Sequence, residues 1–143
     1  MLKGIPPILG PDLLYVLRAM GHGDEIAIVD ANYPADSAGP LLVRLDGISA
    51  TDVLDAVLTL MPLDTFVDDQ AFGMEVVGDP KKREQTHMEF DTLIKKHEPG
   101  MQLSMLERFA FYERVRGAFA VIQTGERRLY GNVLLKKGIV RPE

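Results

Sequence analysis

Residues 26–29 read Ile26-Ala27-Ile28-Val29, four apolar side chains in a row with no polar alternation. A half-buried strand alternates. A short unbroken apolar run suits a strand covered on both faces, which is the pattern of a layered α/β protein. A helix precedes it. Gly10-Pro11-Asp12 has the form of a helix start, with proline near the first helical position and an acid in the first turn. Leu13, Val16, Leu17 and Met20 then share one helical face, and Gly21 is the expected stop.

Beyond the run, residues 30–39 are polar, carry Pro34 and Gly39, and predict a loop. Residues 41–45 form a second strand candidate, ended by Asp46-Gly47. Ser49 with Asp52 three residues later resembles a capping box. Val53, Leu54, Val57, Leu58 and Met61 give the next apolar helical face, which Pro62 closes. Residues 72–77 predict a strand and 80–96 a charged helix. The narrow stripe of Met88, Leu93 and Ile94 on that helix predicts a surface position. Residues 105–111 fit either a strand end or a helix start, and 108–116 have helix-friendly composition. Residues 118–123 read as a buried strand, 125–128 as a turn and 133–135 as a return strand. The expectation is a single α/β domain over residues 1–143, with a mixed sheet covered by helices.

Composition sets the outer limits. The chain of 143 residues is of single-domain length and can bury a real core. Its 46% hydrophobic and 26% charged residues exclude a disordered chain. Sixteen Lys and Arg against 21 Asp and Glu leave a net charge of −5, a poor balance for nucleic-acid binding. There is no cysteine, which excludes disulfides, thiolate metal sites, iron–sulfur clusters and Cys nucleophiles. No apolar run approaches the roughly 20 residues needed to cross a bilayer. No signal segment is visible either, so a cytoplasmic protein is expected.

Three histidines are candidates for proton transfer near neutrality. His87 lies on the charged helix and His97 just after two lysines at its end, and both are expected to be solvated. His22 lies in Met20-Gly21-His22-Gly23-Asp24-Glu25, between a helix and the buried strand. Its flanking glycines allow a sharp turn and remove bulk around the imidazole; the same pattern equally makes a plain turn with His22 facing water. Asp30 ends the apolar strand, where ligands of α/β sheets bind, although a turn-forming Asp is as common there. Arg108 opens Arg108-Phe109-Ala110-Phe111-Tyr112-Glu113-Arg114 and can stack on aromatics and donate several hydrogen bonds. It can equally pair with Glu107 or Glu113. Tyr130-Gly131-Asn132 offers a phenol, bare backbone and an amide together, a set that suits a polyol or an ordinary turn. Dinucleotide, phosphate-loop and nucleophile-elbow motifs are absent, as is a two-His metal spacing on one helix.

Four blocks in the same order carry a family resemblance. They are Met1-Leu2-Lys3 through Pro11-Asp12-Leu13-Leu14; Met20-Gly21-His22-Gly23-Asp24-Glu25 leading to Asp30-Ala31; Arg108-Phe109-Ala110-Phe111-Tyr112-Glu113-Arg114; and Thr124-Gly125-Glu126-Arg127 followed by Tyr130-Gly131-Asn132-Val133-Leu134-Leu135-Lys136-Lys137-Gly138. With them the chain resembles the L-fucose mutarotase and D-ribose pyranase family along nearly its whole length, the third and fourth blocks looking like the fucose branch. The resemblance implies a three-layer α/β/α fold around a mixed sheet. It also implies a cofactor-independent isomerase that interconverts the anomers of a free monosaccharide. His22 would be the catalytic acid or base, and Tyr130 a second proton-transfer partner or a hydroxyl-binding group. Asp30, Arg108, Tyr130, Gly131 and Asn132 would line the sugar site, with no metal. Ring-shaped homo-oligomers, commonly decamers, with sites near subunit contacts are implied as well. Asn32 and Asp36 depart from the fucose-type pattern, which places His there, and so bear on the preferred sugar. A ribose pyranase using the same His22 chemistry, or a non-catalytic sugar-binding protein on the same scaffold, are the alternatives.

Overall fold

A computed structural model describes residues 1–143. The elements run α1 (Pro11–Ala19), β1 (Glu25–Val29), β2 (Leu41–Leu45), α2 (Ala50–Leu60), β3 (Ala71–Met74), α3 (Gln85–His97), β4 (Ser104–Leu106), α4 (Arg108–Arg116), β5 (Ala120–Thr124) and β6 (Val133–Lys136). A short 3₁₀ turn, Asp36–Ala38, interrupts the loop before β2. The six strands form one mixed sheet in the order β2-β5-β1-β6-β3-β4. β1, β2 and β5 are parallel, as are β3 and β4, while β6 runs antiparallel to both β1 and β3. Five strands therefore point one way and only β6 returns.

The apolar run at 26–29 is the middle of this sheet. Ile28 pairs with Ile122 on one side and Val133 on the other. All four of its residues are buried. Ile26 and Ile28 join Ile122, Val133 and Leu135 in a core covered by α1, α2 and α3 through Leu13, Val16, Leu54, Val57, Phe90 and Ile94. Ala27 and Val29 face the other way, with Val121, Leu134, Phe72 and Met74, against Phe111 and Val115 of α4. The result is three layers, α/β/α, with both faces of the central strands dry; each such side chain contributes about 1.5–3 kcal/mol by leaving water. No helix is long and apolar enough to cross a membrane.

Local chemistry explains most boundaries and corrects several expectations. Ser49 caps α2, accepting the Asp52 amide at 3.2 Å. The stretch 105–111 is both things its sequence allowed, β4 then α4, divided by Glu107, whose carboxylate accepts the Phe109 and Ala110 amides at 2.9 and 3.0 Å. Gly21 is not the stop of α1: Met20 has already left the helix at φ −58°, ψ 136°, and the left-handed glycine is Gly23 at φ 86°. The charged helix begins at Gln85, not at 80, and it is not a surface helix. Its inner face is Thr86, His87, Phe90 and Ile94, with Met88 turned outward. His87, expected in water, is 1% exposed. Its Nδ1 accepts the Glu84 amide at 3.1 Å while the Glu84 side chain caps the helix. His97 is also not free: its Nε2 lies 2.6 Å from Asp55 Oδ1 and ties α3 to α2.

Candidate active site

The C-terminal ends of β1 and β3, the entry to β6 and the start of α4 converge on a cleft of about 330 Å³. This is where the architecture leaves ligand space, because strands end there and loops diverge. Asp30, the residue after β1, and Asn132, the residue before β6, stand side by side: the Asp30 amide donates to Asn132 Oδ1 at 2.8 Å. Arg108, Tyr112, Tyr33 and Tyr130 form the remaining walls with Asn32, Met74, Val77 and Leu129.

Each polar group is fixed in advance. The Asp30 carboxylate accepts the Asn32 amide at 3.0 Å. Its backbone carbonyl is held by Gln123 Nε2, which also donates to the carbonyls of Ala31 and Tyr33. Asp30 is only 6% exposed. Burial pushes its carboxyl above the usual range, and hydrogen bonds from Asn32, Asn132, Gly131 and Tyr33 pull it only part of the way back. Arg108 makes no ion pair with any carboxylate. Its Nε donates to the Tyr112 hydroxyl at 3.4 Å, and its guanidinium lies 5.5 Å from the centre of that ring. Its other donors remain available to hydroxyl oxygens. Burial raises the Tyr33 phenol, which stays neutral.

Tyr130 is the one non-glycine residue in the left-handed region, at φ 57°, an unusual state for a bulky side chain. Three contacts hold it there. Thr86 Oγ1 donates to the Leu129 and Tyr130 carbonyls, the His87 ring lies 6.1 Å away, and the Tyr130 hydroxyl accepts the Val77 amide at 3.0 Å. With that lone pair occupied, the phenolic hydrogen is free to donate into the cleft. Gly131 does not line the cleft but sits behind it: a Cβ there would come within 2.6 Å of Glu126 Cγ and 3.3 Å of Asp30 Cβ. Glu126 is in turn gripped by Arg128, which also binds Glu89 of α3.

The structure thus brings Asp30, Arg108, Tyr130 and Asn132 together. It does not bring His22 to them within one chain. His22 precedes β1 and Asp30 follows it, so a five-residue strand separates them, roughly 17 Å at 3.3 Å per residue. At that far end His22 is 43% exposed and its Nε2 lies 2.9 Å from Asp64 Oδ1. Asn32 borders the cleft, whereas Asp36 is exposed on the 3₁₀ turn outside it. Sequence reasoning missed Tyr112, which helical spacing four residues after Arg108 could have supplied. It also missed Thr86 and Glu126, for which no local signal exists.

The sequence profile of the RbsD / FucU transport protein family matches residues 3–140. The chain belongs to that family. It is 47% identical over 145 residues to the fucose mutarotase of Homo sapiens, covering 97% of this chain and 94% of that one. The fucose mutarotase of Streptococcus pneumoniae, solved in complex with L-fucose, superimposes with a TM-score of 0.90 at 43% identity, covering 98% of this chain and all of that one. Bacillus subtilis RbsD, solved with D-ribose, shares the fold at a TM-score of 0.73 and 22% identity over 99% of this chain and 100% of its own. The family's mixed-sheet, three-layer architecture is the one described above.

Proposed function

We propose that this family member is an L-fucose mutarotase, an isomerase that interconverts the α and β anomers of the free sugar. The observation that carries the reading is the cleft itself. A buried carboxylate, an unpaired guanidinium and a carboxamide surround a phenol whose hydrogen is free. Asp30 accepts from sugar hydroxyls, Arg108 donates to them, and Asn132 does both. The Tyr33, Tyr112 and Tyr130 rings offer flat apolar faces to the C–H surfaces of a pyranose. A site matched to hydroxyls in this way discriminates strongly against a sugar that lacks one.

The reaction moves protons only. A base takes the proton of the anomeric hydroxyl, the bond from the anomeric carbon to the ring oxygen breaks, and the ring oxygen takes a proton. Rotation about the single bond between the carbonyl carbon and its neighbour, followed by the reverse steps, gives the other anomer. Tyr130, whose phenolic hydrogen is free, protonates the ring oxygen. His22 is the base, delivered by a neighbouring subunit, since in its own chain it lies across the sheet. Exposed apolar side chains support that assembly at both ends of the strands: Val77 and Leu129 on the cleft with Phe109 beside Arg108, and Phe66 against the His22 ring with Leu2 and Val140 on the cavity along α1. Stacking one end on the other is a heterologous contact, which forms a ring where the rotation between copies closes; a homo-oligomeric ring such as a decamer, in the cytoplasm, is the proposed working form. Gly131 contributes by letting Asp30 approach the β5–β6 turn, and Asn32 tunes the preference among sugars.

Saturation transfer between the anomeric protons of L-fucose tests this. The protein should speed exchange, and His22→Ala should lose roughly 10²–10⁴-fold, the usual contribution of a positioned acid–base group. Exchange at the buffer rate with L-fucose, but enhanced with D-ribose, would replace the reading by a pyranase.

A further inference from the structure

The left-handed turn at Tyr130, φ 57°, is gripped from a different element, the first turn of α3. Two successive carbonyls, those of Leu129 and Tyr130, converge on one hydroxyl, Thr86 Oγ1, at 3.2 and 3.4 Å. The backbone angles of Tyr130 alone set how those two carbonyls point relative to each other. In an extended chain successive carbonyls point to opposite sides, so one donor reaches both only while Tyr130 keeps a tightly coiled backbone. Thr86 is 1% exposed, so water does not replace this bond if it is lost. A second grip lies one turn further along α3. Glu89 accepts from Arg128 Nη1, and Arg128 is itself folded onto Glu126 through its amide and its guanidinium. The loop between β5 and β6 is thus fastened to α3 on both sides of Leu129.

This fastening fixes where the phenol goes. The ring leaves a backbone held by Thr86, and its hydroxyl accepts the Val77 amide at 3.0 Å, in the segment that follows β3. Released into an extended backbone, Tyr130 would turn one of the two carbonyls away from Thr86 and carry its hydroxyl off Val77. Thr86 itself does not line the cleft, so it has no contact with a bound sugar. We infer that Thr86 is the positioning residue of Tyr130: its hydroxyl holds the left-handed turn that aims the phenolic hydrogen at the ring oxygen of the sugar. The inference rests on the proposed function, in which Tyr130 is the acid. It also gives the buried polar start of α3 a task beyond packing, since the hydroxyl there acts on a proton donor in another element.

The test reads this coupling with and without sugar. Without it, hydrogen exchange followed by mass spectrometry on the full-length protein monitors the peptide that spans Val77, whose amide is bound to the Tyr130 hydroxyl. Thr86→Val has nearly the same shape but no donor. It should speed exchange at that amide by roughly 10-fold, as Tyr130→Phe should, and Thr86→Ser should restore the wild-type rate. With sugar, the readout is the rate of L-fucose anomer conversion as a function of concentration. Thr86→Val should lower kcat by roughly 10- to 100-fold, the cost of displacing a reacting group by about 1 Å, while KM stays within about twofold. In the Tyr130→Phe background the same substitution should cost nothing more, because the group it positions is gone. Thr86→Ala takes the place of Thr86→Val if the latter fails to fold. A Thr86→Val protein that melts lower but keeps its kcat and its Val77 amide rate overturns the proposal, as does a Thr86→Ser as slow as Thr86→Val. A slow Tyr130→Phe beside a Thr86→Val of wild-type kcat overturns the role of Thr86 alone. A fully active Tyr130→Phe overturns the proposed acid, and the role of Thr86 with it.

Discussion

At Asp30 burial and function pull in opposite directions. In the proposed site the carboxylate accepts sugar hydroxyls, yet it lies almost wholly out of water, and its ionised form is disfavoured by that burial despite four hydrogen-bonding neighbours. A raised carboxyl pKa in the folded state has a definite sign. The folded protein holds the proton more tightly than the unfolded chain, so stability is full at low pH and falls as pH rises through the folded pKa. Asp30→Asn removes that penalty and keeps an acceptor for the Asn32 amide. We expect the variant to melt higher than the wild type at pH 7, with the gap closing as pH falls towards the ordinary carboxyl value of 3.8. L-fucose exchange should drop in the same variant, the common trade between an active site and stability. Thermal melts across pH 4–8 check the first part; equal melting temperatures at pH 7 would remove burial as the dominant influence on this residue. Asp30 and Asn132 were legible as candidates because each abuts an apolar strand, and the ends of parallel strands are where clefts form. The partner of His22 was not. Asp64 lies 42 residues from His22 in sequence, and only the return of the chain along β6 brings the two together.

Among the elements, α3 shows most sharply what local patterning conceals. β1, β2 and α2 announce themselves through unbroken apolar runs or a regular apolar face. The inner face of α3 begins with Thr86 and His87, polar residues that are buried only because each has a specific partner. Thr86 binds the carbonyls before and at Tyr130, and His87 accepts the Glu84 amide. Hydrophobic spacing cannot reveal a face whose apolar content is Phe90 and Ile94 alone. His87 Nε2 is buried with no hydrogen-bond partner, and burial lowers its pKa below the ordinary 6.5. For a histidine of lowered pKa the stability is present above the unfolded value and is lost as pH falls through the folded value. Protonation also places a hydrogen on Nδ1, the atom that accepts from Glu84. The wild-type melting temperature should therefore fall below about pH 6.5, and His87→Gln, which keeps an acceptor but cannot titrate, should flatten that fall. Parallel pH slopes for the two proteins would show that α3 is not docked through a neutral His87.

For the whole molecule, the sheet direction decides what a single chain can do. With five strands parallel, one end of the sheet gathers Asp30, Arg108, Tyr130 and Asn132, and the opposite end holds His22 on Asp64. No hinge within a sheet core this well buried brings the two ends together; in the proposed assembly a second copy does so. Both ends carry exposed apolar side chains, which water alone covers poorly. A head-to-tail ring buries both at once and leaves no free end to grow into a fibre. In the proposed function the catalytic unit is a pair of chains, and that reading yields a result that a one-chain site cannot. His22→Ala and Arg108→Ala should each be nearly inactive alone. Dissociated, mixed in equal amounts and reassembled, they should regain activity in about a quarter of the sites, those that combine an intact His22 from one copy with an intact cleft from the next. If His22 served the cleft of its own chain, every site in the mixture would still lack one of the two groups, and the mixture would stay as silent as its parts.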